Sequence, residues 1–96
     1  MRGAARLNDK TFGKCKKHGP QTGKIVSASS DTFWNDRGAA RLNDKVIAKC
    51  GCNAKIVSAS TDTIVNDRGA ARLNDKVEGS NYKAKIISAS PDVLIN

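Results

Sequence analysis

The sequence predicts a small all-β domain of three β-hairpin repeats related by a pseudo-threefold axis. The first observation is that the phrase RGAARLNDK occurs three times without change, at 2–10, 37–45 and 68–76. The second is a similar second half in each repeat: KIVSASSDTFWN at 24–35, KIVSASTDTIVN at 55–66 and KIISASPDVLIN at 85–96. About three such repeats are needed to cover one another's apolar faces. We therefore expect a single domain over 1–96, with internal repeats at 2–36, 37–67 and 68–96.

Within each repeat, the residue types favour short strands over helices. Apolar residues occur in short, mostly β-branched pairs such as Ile25-Val26 and Ile56-Val57, flanked by Ser, Asn, Asp and Gly. Such pairs are typical of strands of about three to six residues. No window keeps the apolar spacing of a helix, although Ala-Ala-Arg-Leu within the phrase has room for one helical turn. The joints NDRG at 35–38 and 66–69 predict tight turns in which the glycine takes a positive φ.

The three repeats can either stack in a row or close around an axis. A linear stack needs atypical terminal repeats that cap its ends, whereas here the first and third repeats are as regular as the middle one. Closure is therefore favoured. Three similar surfaces around one axis match a threefold-symmetric homotrimer at one chain per trimer.

Size and charge limit the classes of function. A chain of 96 residues with 4% aromatic residues has a thin core, which commonly needs a metal, a disulfide or an oligomeric partner. The net charge of +8 favours nucleic acid, an anionic membrane surface or an acidic protein surface as partner. With no signal-peptide pattern, we expect synthesis in the cytoplasm, where stable disulfides are uncommon. The odd number of cysteines, three, also argues against a disulfide framework.

The repeated phrase resembles the motif of a known family. Ala-Ala-Arg-Leu-Asn-Asp, at 4–9, 39–44 and 70–75, is similar to the PAAR-repeat motif, in which Pro-Ala-Ala-Arg precedes an apolar residue, a small residue and Asp. Gly3, Gly38 and Gly69 stand where the family has its proline. The resemblance covers essentially the whole chain. It implies a small conical β domain that binds zinc near its apex and caps the trimeric β-helical spike of a contractile injection apparatus.

The resemblance also implies partners and a location. The expected partner is a trimeric β-helical spike protein, and the tip makes transient contact with the target cell envelope that it helps to pierce. In its length and lack of an appended effector domain, the sequence is most similar to family members at the spike tip of T4-like phage baseplates. The expected location is therefore the tip of a virion tail baseplate, with the tip of a bacterial type VI secretion spike as the alternative.

Four candidate metal ligands lie in the connections between the two halves of the repeats. The connections at 11–23 and 46–54 supply Cys15, His18, Cys50 and Cys52, whereas the third, at 77–84, has Asn81 at the matching position and no ligand. If the connections converge, these residues form a Cys3His set, which suits one structural zinc ion or another transition metal. The family's site is commonly richer in histidine. Lysines flank the cysteines and favour thiolates: Lys14, Lys16, Lys17 and Lys49. The alternative is that the cysteines are small buried apolar residues and His18 lies on the surface.

Two further sets recur at equivalent positions. Arg6/Asp9, Arg41/Asp44 and Arg72/Asp75 are predicted to form ion pairs between the lobes, the alternative being solvated charges worth about 0–1 kcal/mol each. The second set consists of the apolar pairs Phe33-Trp34, Ile64-Val65 and Leu94-Ile95. Adjacent strand residues point to opposite faces, so one member of each pair is expected in the core and the other at a partner interface, with Trp34 as the anchor. The alternative places both members in the core.

These observations favour a structural protein over two other classes. The first alternative is a basic, zinc-stabilised nucleic-acid-binding module. Against it, the Lys and Arg residues are spread through all three repeats, and the aromatic residues form no evident stacking platform. An enzyme is not expected, because His18 is the only histidine, and the sequence has neither a Gly-rich phosphate loop nor a nucleophile elbow.

Overall fold

The structure, a computed structural model, describes residues 2–95, so both ends of the predicted 1–96 domain fall outside the described residues. Within 2–95 the chain is all-β, as predicted, and contains no helix. None of these residues forms a helix that could span a membrane. The twelve strands are β1 (Arg2–Gly3), β2 (Lys10–Cys15), β3 (Gly19–Ile25), β4 (Phe33–Trp34), β5 (Arg37–Gly38), β6 (Lys45–Ala48), β7 (Asn53–Ile56), β8 (Ile64–Val65), β9 (Arg68–Gly69), β10 (Lys76–Glu78), β11 (Tyr82–Ile86) and β12 (Leu94–Ile95).

Six of these strands form a closed antiparallel barrel in the order β10-β11-β2-β3-β6-β7. Each repeat contributes one hairpin: β2–β3, β6–β7 and β10–β11. The outward-facing positions are mostly lysines. The inward-facing side chains form the main core, and those that are fully buried include Ile25, Val46, Ile56, Val77, Tyr82 and Ile86.

Three two-stranded ribbons join successive repeats: β4–β5, β8–β9 and β12–β1. The last ribbon pairs Arg2 with Ile95, so the first and last strands close the circle. A second, smaller core lies among the ribbons and contains Ala4, Ala39, Ala70, Val65 and Ile95.

The Ala-Ala pair of the repeated phrase separates the two cores. The first alanine of each pair packs in the ribbon core and the second in the barrel core, and all six are fully buried. The backbones of the second alanines form a ring: Ala5 N–H donates to Ala71 O at 3.0 Å, Ala40 N–H to Ala5 O at 3.1 Å and Ala71 N–H to Ala40 O at 2.9 Å. A cyclic set of bonds excludes a linear stack and confirms closure around a pseudo-threefold axis. The overall extents, 35 × 23 × 22 Å, agree with three similar repeats around the long axis.

The NDRG turns differ from the prediction in one respect. The positive φ angles lie at Asn35 (54°) and Asp36 (66°), and again at the equivalent Asn66 and Asp67, whereas the glycine that follows is an ordinary strand residue. Two consecutive positive φ angles are the hallmark of a type I′ hairpin turn. Glycine is required for another reason, because a Cβ at Gly38 would lie 2.5 Å from Ser29 O. The prediction that glycine takes the positive φ is therefore wrong. The proline of the PAAR motif would meet the same obstruction.

The predicted Arg–Asp ion pairs form in all three repeats, but each joins residues three positions apart within one repeat, so the expectation that these pairs link the lobes is wrong. The links between repeats come from Arg2, Arg37 and Arg68, which pair with the same aspartates. Each aspartate side chain is only 2% exposed and collects donors from every repeat. Asp44, for example, accepts hydrogen bonds from Arg41 of its own repeat, Arg68 of the third and Ser27 of the first. Asp9 and Asp75 repeat the pattern. These carboxylates therefore tie the three repeats together beside the alanine ring.

Candidate metal centre and the apolar face opposite it

The end of the barrel away from the alanine ring brings the three cysteines together. Cys15 is the last residue of β2, and Cys50 and Cys52 lie in the turn between β6 and β7. Gly51 permits this turn with a φ of 94°, a conformation that favours glycine. The turn is closed by bonds from Gly51 N–H to Ala48 O and from Ala48 N–H to Cys52 O. As a result, both of its thiols face the Cys15 thiol.

The distances between the three thiols suit three corners of a tetrahedral metal site. The three Sγ atoms are 3.2–3.5 Å apart, and Cys15 Sγ is 3.5 Å from His18 Nδ1. Zn–S bonds of about 2.3 Å give S···S edges of about 3.8 Å, and a nitrogen at about 2.0 Å gives an S···N edge of about 3.5 Å. The thiols therefore need to move apart only slightly to hold an ion. The three cysteines form a cluster of the metal-binding type. The exposed His18 lies outside this group of mutually close ligand atoms and contacts it at Cys15.

The proton equilibria of the thiols are strongly coupled. The hydrogen bond with His18, followed by the backbone N–H of Lys17, lowers the pKa of Cys15 to about 6. Hydrogen bonds with Cys50 and Cys15, which favour the protonated thiol, raise the pKa of Cys52 to about 12, with smaller contributions from burial and from the charges of the same two neighbours. A thiolate at Cys15 is thus well stabilised, whereas further negative charge at Cys52 is opposed by its neighbours. A bound cation removes that opposition, since metal ligands are thiolates. Lys17 stabilises the Cys15 thiolate through its backbone, which the sequence does not reveal.

The third repeat contributes support instead of a ligand. Tyr82 lies opposite Cys15 in the β2–β11 pairing and is fully buried. Its hydroxyl is 3.0 Å from Thr11 Oγ1 and 3.3 Å from Gln21 O, and burial raises its pKa. The Gln21 side chain in turn accepts a hydrogen bond from Cys50 N–H. Sequence reasoning missed this support, because only the strand register shows that Tyr82 and Cys15 are neighbours.

The ribbon end of the molecule carries an apolar ring. Phe33, Ile64 and Leu94 are 56%, 56% and 50% exposed and occupy equivalent positions in the three ribbons; they are called the base ring below. Their neighbours point inward, with Val65 and Ile95 buried and Trp34 partly buried against the ribbon core. One member of each pair therefore faces the core, but the outward member in the first repeat is Phe33. Trp34, the expected anchor, packs inward and leaves its buried Nε1 without a hydrogen-bond partner.

Comparison with known proteins adds no assignment. The sequence matches no protein-family model and no curated protein. The PAAR-repeat resemblance, with its implied spike partner, therefore stays a prediction.

Proposed function

We propose that the chain is a structural cap that closes the end of a trimeric β-helical spike in a contractile injection apparatus, with its barrel end as the leading tip. The observation that supports this most directly is the cyclic bonding of Ala5, Ala40 and Ala71. It arranges three repeats of one chain around a single axis, so one copy offers three similar surfaces to a threefold partner.

The docking face in this proposal is the ribbon end. The base ring places three exposed apolar side chains at equivalent positions around the axis. Burying an aliphatic or aromatic side chain contributes about 1.5–3 kcal/mol of favourable free energy. A partner with a matching apolar end would gain binding free energy from all three side chains together. Five exposed aspartates occur in the loops and turns of this half, at Asp31, Asp36, Asp62, Asp67 and Asp92. We therefore expect basic side chains around the apolar end of the partner.

The barrel end in this proposal is held by one zinc ion. Cys15, Cys50, Cys52 and His18 would hold it, and four protein ligands leave no open position for an activated water. The role is thus structural and the protein is not an enzyme. The ion would join the first two hairpins at the end of the barrel, and structural zinc contributes on the order of 10 kcal/mol in small peptides.

Native mass spectrometry tests the proposal. The protein is mixed with the trimeric β-helical spike protein of the same apparatus, and the expected complex contains one chain, three spike chains and one zinc ion. Replacing the base ring (Phe33→Ser, Ile64→Ser, Leu94→Ser) should abolish the complex. The matched control replaces three exposed apolar residues that lie on the barrel strands or directly after one (Phe12→Ser, Ile47→Ser, Ile87→Ser) and should preserve it. Three chains per trimer, no complex, or loss only in the control would overturn the proposal.

A further inference from the structure

The charged residues are sharply divided between the two halves of the molecule. The barrel segments 10–25, 45–56 and 76–86 contain all eleven lysines, one acidic residue (Glu78) and no arginine, which gives +10. The rest of the chain contains all six arginines and eight aspartates, which gives −2. Every ion pair found within residues 2–95 joins an arginine to one of the buried aspartates. The arginines thus stabilise the fold, while all eleven lysines are exposed.

Eight of the eleven lysines lie directly opposite another lysine, and two of these, Lys55 and Lys83, also lie opposite Glu78. Lys10 lies directly opposite Lys24 in the first hairpin, Lys45 opposite Lys55 in the second and Lys76 opposite Lys85 in the third; these six residues are called the lysine belt. Lys14 and Lys83 form a further pair nearer the tip. Like charges directly opposite each other destabilise a sheet. Folding therefore does not account for the same unfavourable pair in every hairpin, whereas an anionic partner would.

We propose that the lysine-bearing barrel half binds anionic phospholipid surfaces. The belt lysines come from all six barrel strands, so they project from every side of a body only about 22–23 Å across. A tip that enters a headgroup layer meets phosphates on all sides at once, whereas a nucleic acid strand follows one side.

The side chains between the lysines agree with a lipid partner. Phe12 and Ile47 are 48% and 39% exposed, and each lies opposite a belt lysine, Lys85 and Lys24 respectively. Apolar side chains among lysines are typical of surfaces that bind at the headgroup–acyl boundary. The arginine forks that favour nucleic-acid phosphates are absent from the barrel segments. Phospholipid binding itself requires only this charge distribution. Its occurrence at first contact with a target envelope rests on the proposed function.

Vesicle cosedimentation tests the inference. Vesicles of phosphatidylglycerol and phosphatidylcholine are compared with phosphatidylcholine alone, at low and high salt. The belt variant Lys10→Gln, Lys45→Gln, Lys76→Gln removes one lysine from each pair. Its matched control, Ser30→Glu, Thr61→Glu, Pro91→Glu, changes three equivalent exposed residues of the ribbon half. Both variants carry +5, compared with +8 in the parent.

The parent should bind the anionic vesicles, release them at high salt and not bind phosphatidylcholine. Each lysine near an anionic surface contributes about fivefold in affinity, so the belt variant should bind on the order of 100-fold more weakly. The control should stay within a few-fold of the parent.

The belt variant should also melt at the same temperature as the parent or higher, because it loses cross-strand repulsion. Equal loss in both variants, equal binding to phosphatidylcholine, or tighter binding to duplex DNA at the same salt would overturn the inference. None of these results depends on the spike protein, so this test and the docking test can fail separately.

Discussion

Replacement of Asp44 by asparagine tests whether the buried carboxylates hold the three repeats together. Both carboxylate oxygens are fully used: Oδ2 accepts from the backbone N–H and Nε of Arg41, and Oδ1 accepts from Arg41, Arg68 and Ser27. An amide of the same shape removes the charge and turns an NH2 group towards these donors. The Arg41 guanidinium, whose pKa is raised by its hydrogen bonds with Asp44, then remains partly buried without its counter-charge.

The expected loss follows from the burial of the pair. Asp44 is 2% and Arg41 16% exposed, and removing one partner of a buried pair costs about 3–5 kcal/mol. Arg68 is 35% exposed and adds little, since surface pairs contribute about 0–1 kcal/mol. We therefore expect a loss of about 3 kcal/mol in the free energy of unfolding. For a chain of this size the melting temperature would fall by roughly 12–24 °C.

Urea and thermal unfolding, followed by the fluorescence of Trp34 and by circular dichroism, measure this loss at fixed metal content. The matched control is Asp67→Asn, an exposed turn residue with a φ of 64°, where asparagine is well tolerated. Its effect should stay within about 0.5 kcal/mol. A loss below about 1 kcal/mol for Asp44→Asn would show that the carboxylate behaves as a surface charge, and the reasoning would fail.

Three further predictions concern the metal centre and the close approach at Gly38. Cys52→Ser should abolish retention of one zinc per chain in native mass spectrometry, whereas Asn81→Ser in the third turn should retain it; retention by both would rule out the thiol cluster as the site. Because the pKa of Cys15 is about 6 and that of Cys52 about 12, zinc binding displaces a proton from Cys52 at neutral pH and also from Cys15 below pH about 6. The zinc affinity should therefore fall more steeply with decreasing pH below about 6 in competition titrations, and an unchanged slope would contradict the assignment. Gly38→Ala places a Cβ 2.5 Å from Ser29 O and should lower the free energy of unfolding by about 1–3 kcal/mol, while Ser30→Ala, at an exposed site, should change it little.

The repeat pattern predicts the architecture because similar sequences adopt similar local structures. The identical Ala-Ala pairs at 4–5, 39–40 and 70–71 occupy equivalent positions, and the backbones of their second alanines form a ring of hydrogen bonds. Closure, the Arg–Asp pairs and the clustering of the cysteines follow from this equivalence. For the same reason, the matching places of Cys15 and Cys50 in two repeats predict that their thiols lie close together.

Features that depend on strand register could not be predicted in the same way. The alternation of side chains along a strand indicates that one of Phe33 and Trp34 faces outward. Only the strand register, which pairs Phe33 with Gly38, decides which one. The positive φ angles fall on Asn35 and Asp36, at the centre of the turn, whereas Gly38 is required by its close approach to Ser29. The two residues in this contact are nine positions apart in the sequence, so the residues next to Gly38 give no indication of it. The cross-strand lysine pairs also became visible only with the register.

The proposed zinc site offers a reason for three covalently joined repeats instead of a symmetric trimer of one repeat. A threefold axis supplies ligands in identical sets of three, whereas structural zinc takes four tetrahedral ligands. Here the first connection provides Cys15 and His18, the second provides Cys50 and Cys52, and the third provides the buried Tyr82 and no ligand. A single chain can keep the ring and base ring nearly symmetric, to match a threefold partner, while its variable connections break that symmetry at the opposite end. The phrase RGAARLNDK is identical where the symmetry is needed, and the sequences diverge where a four-ligand site requires them to differ.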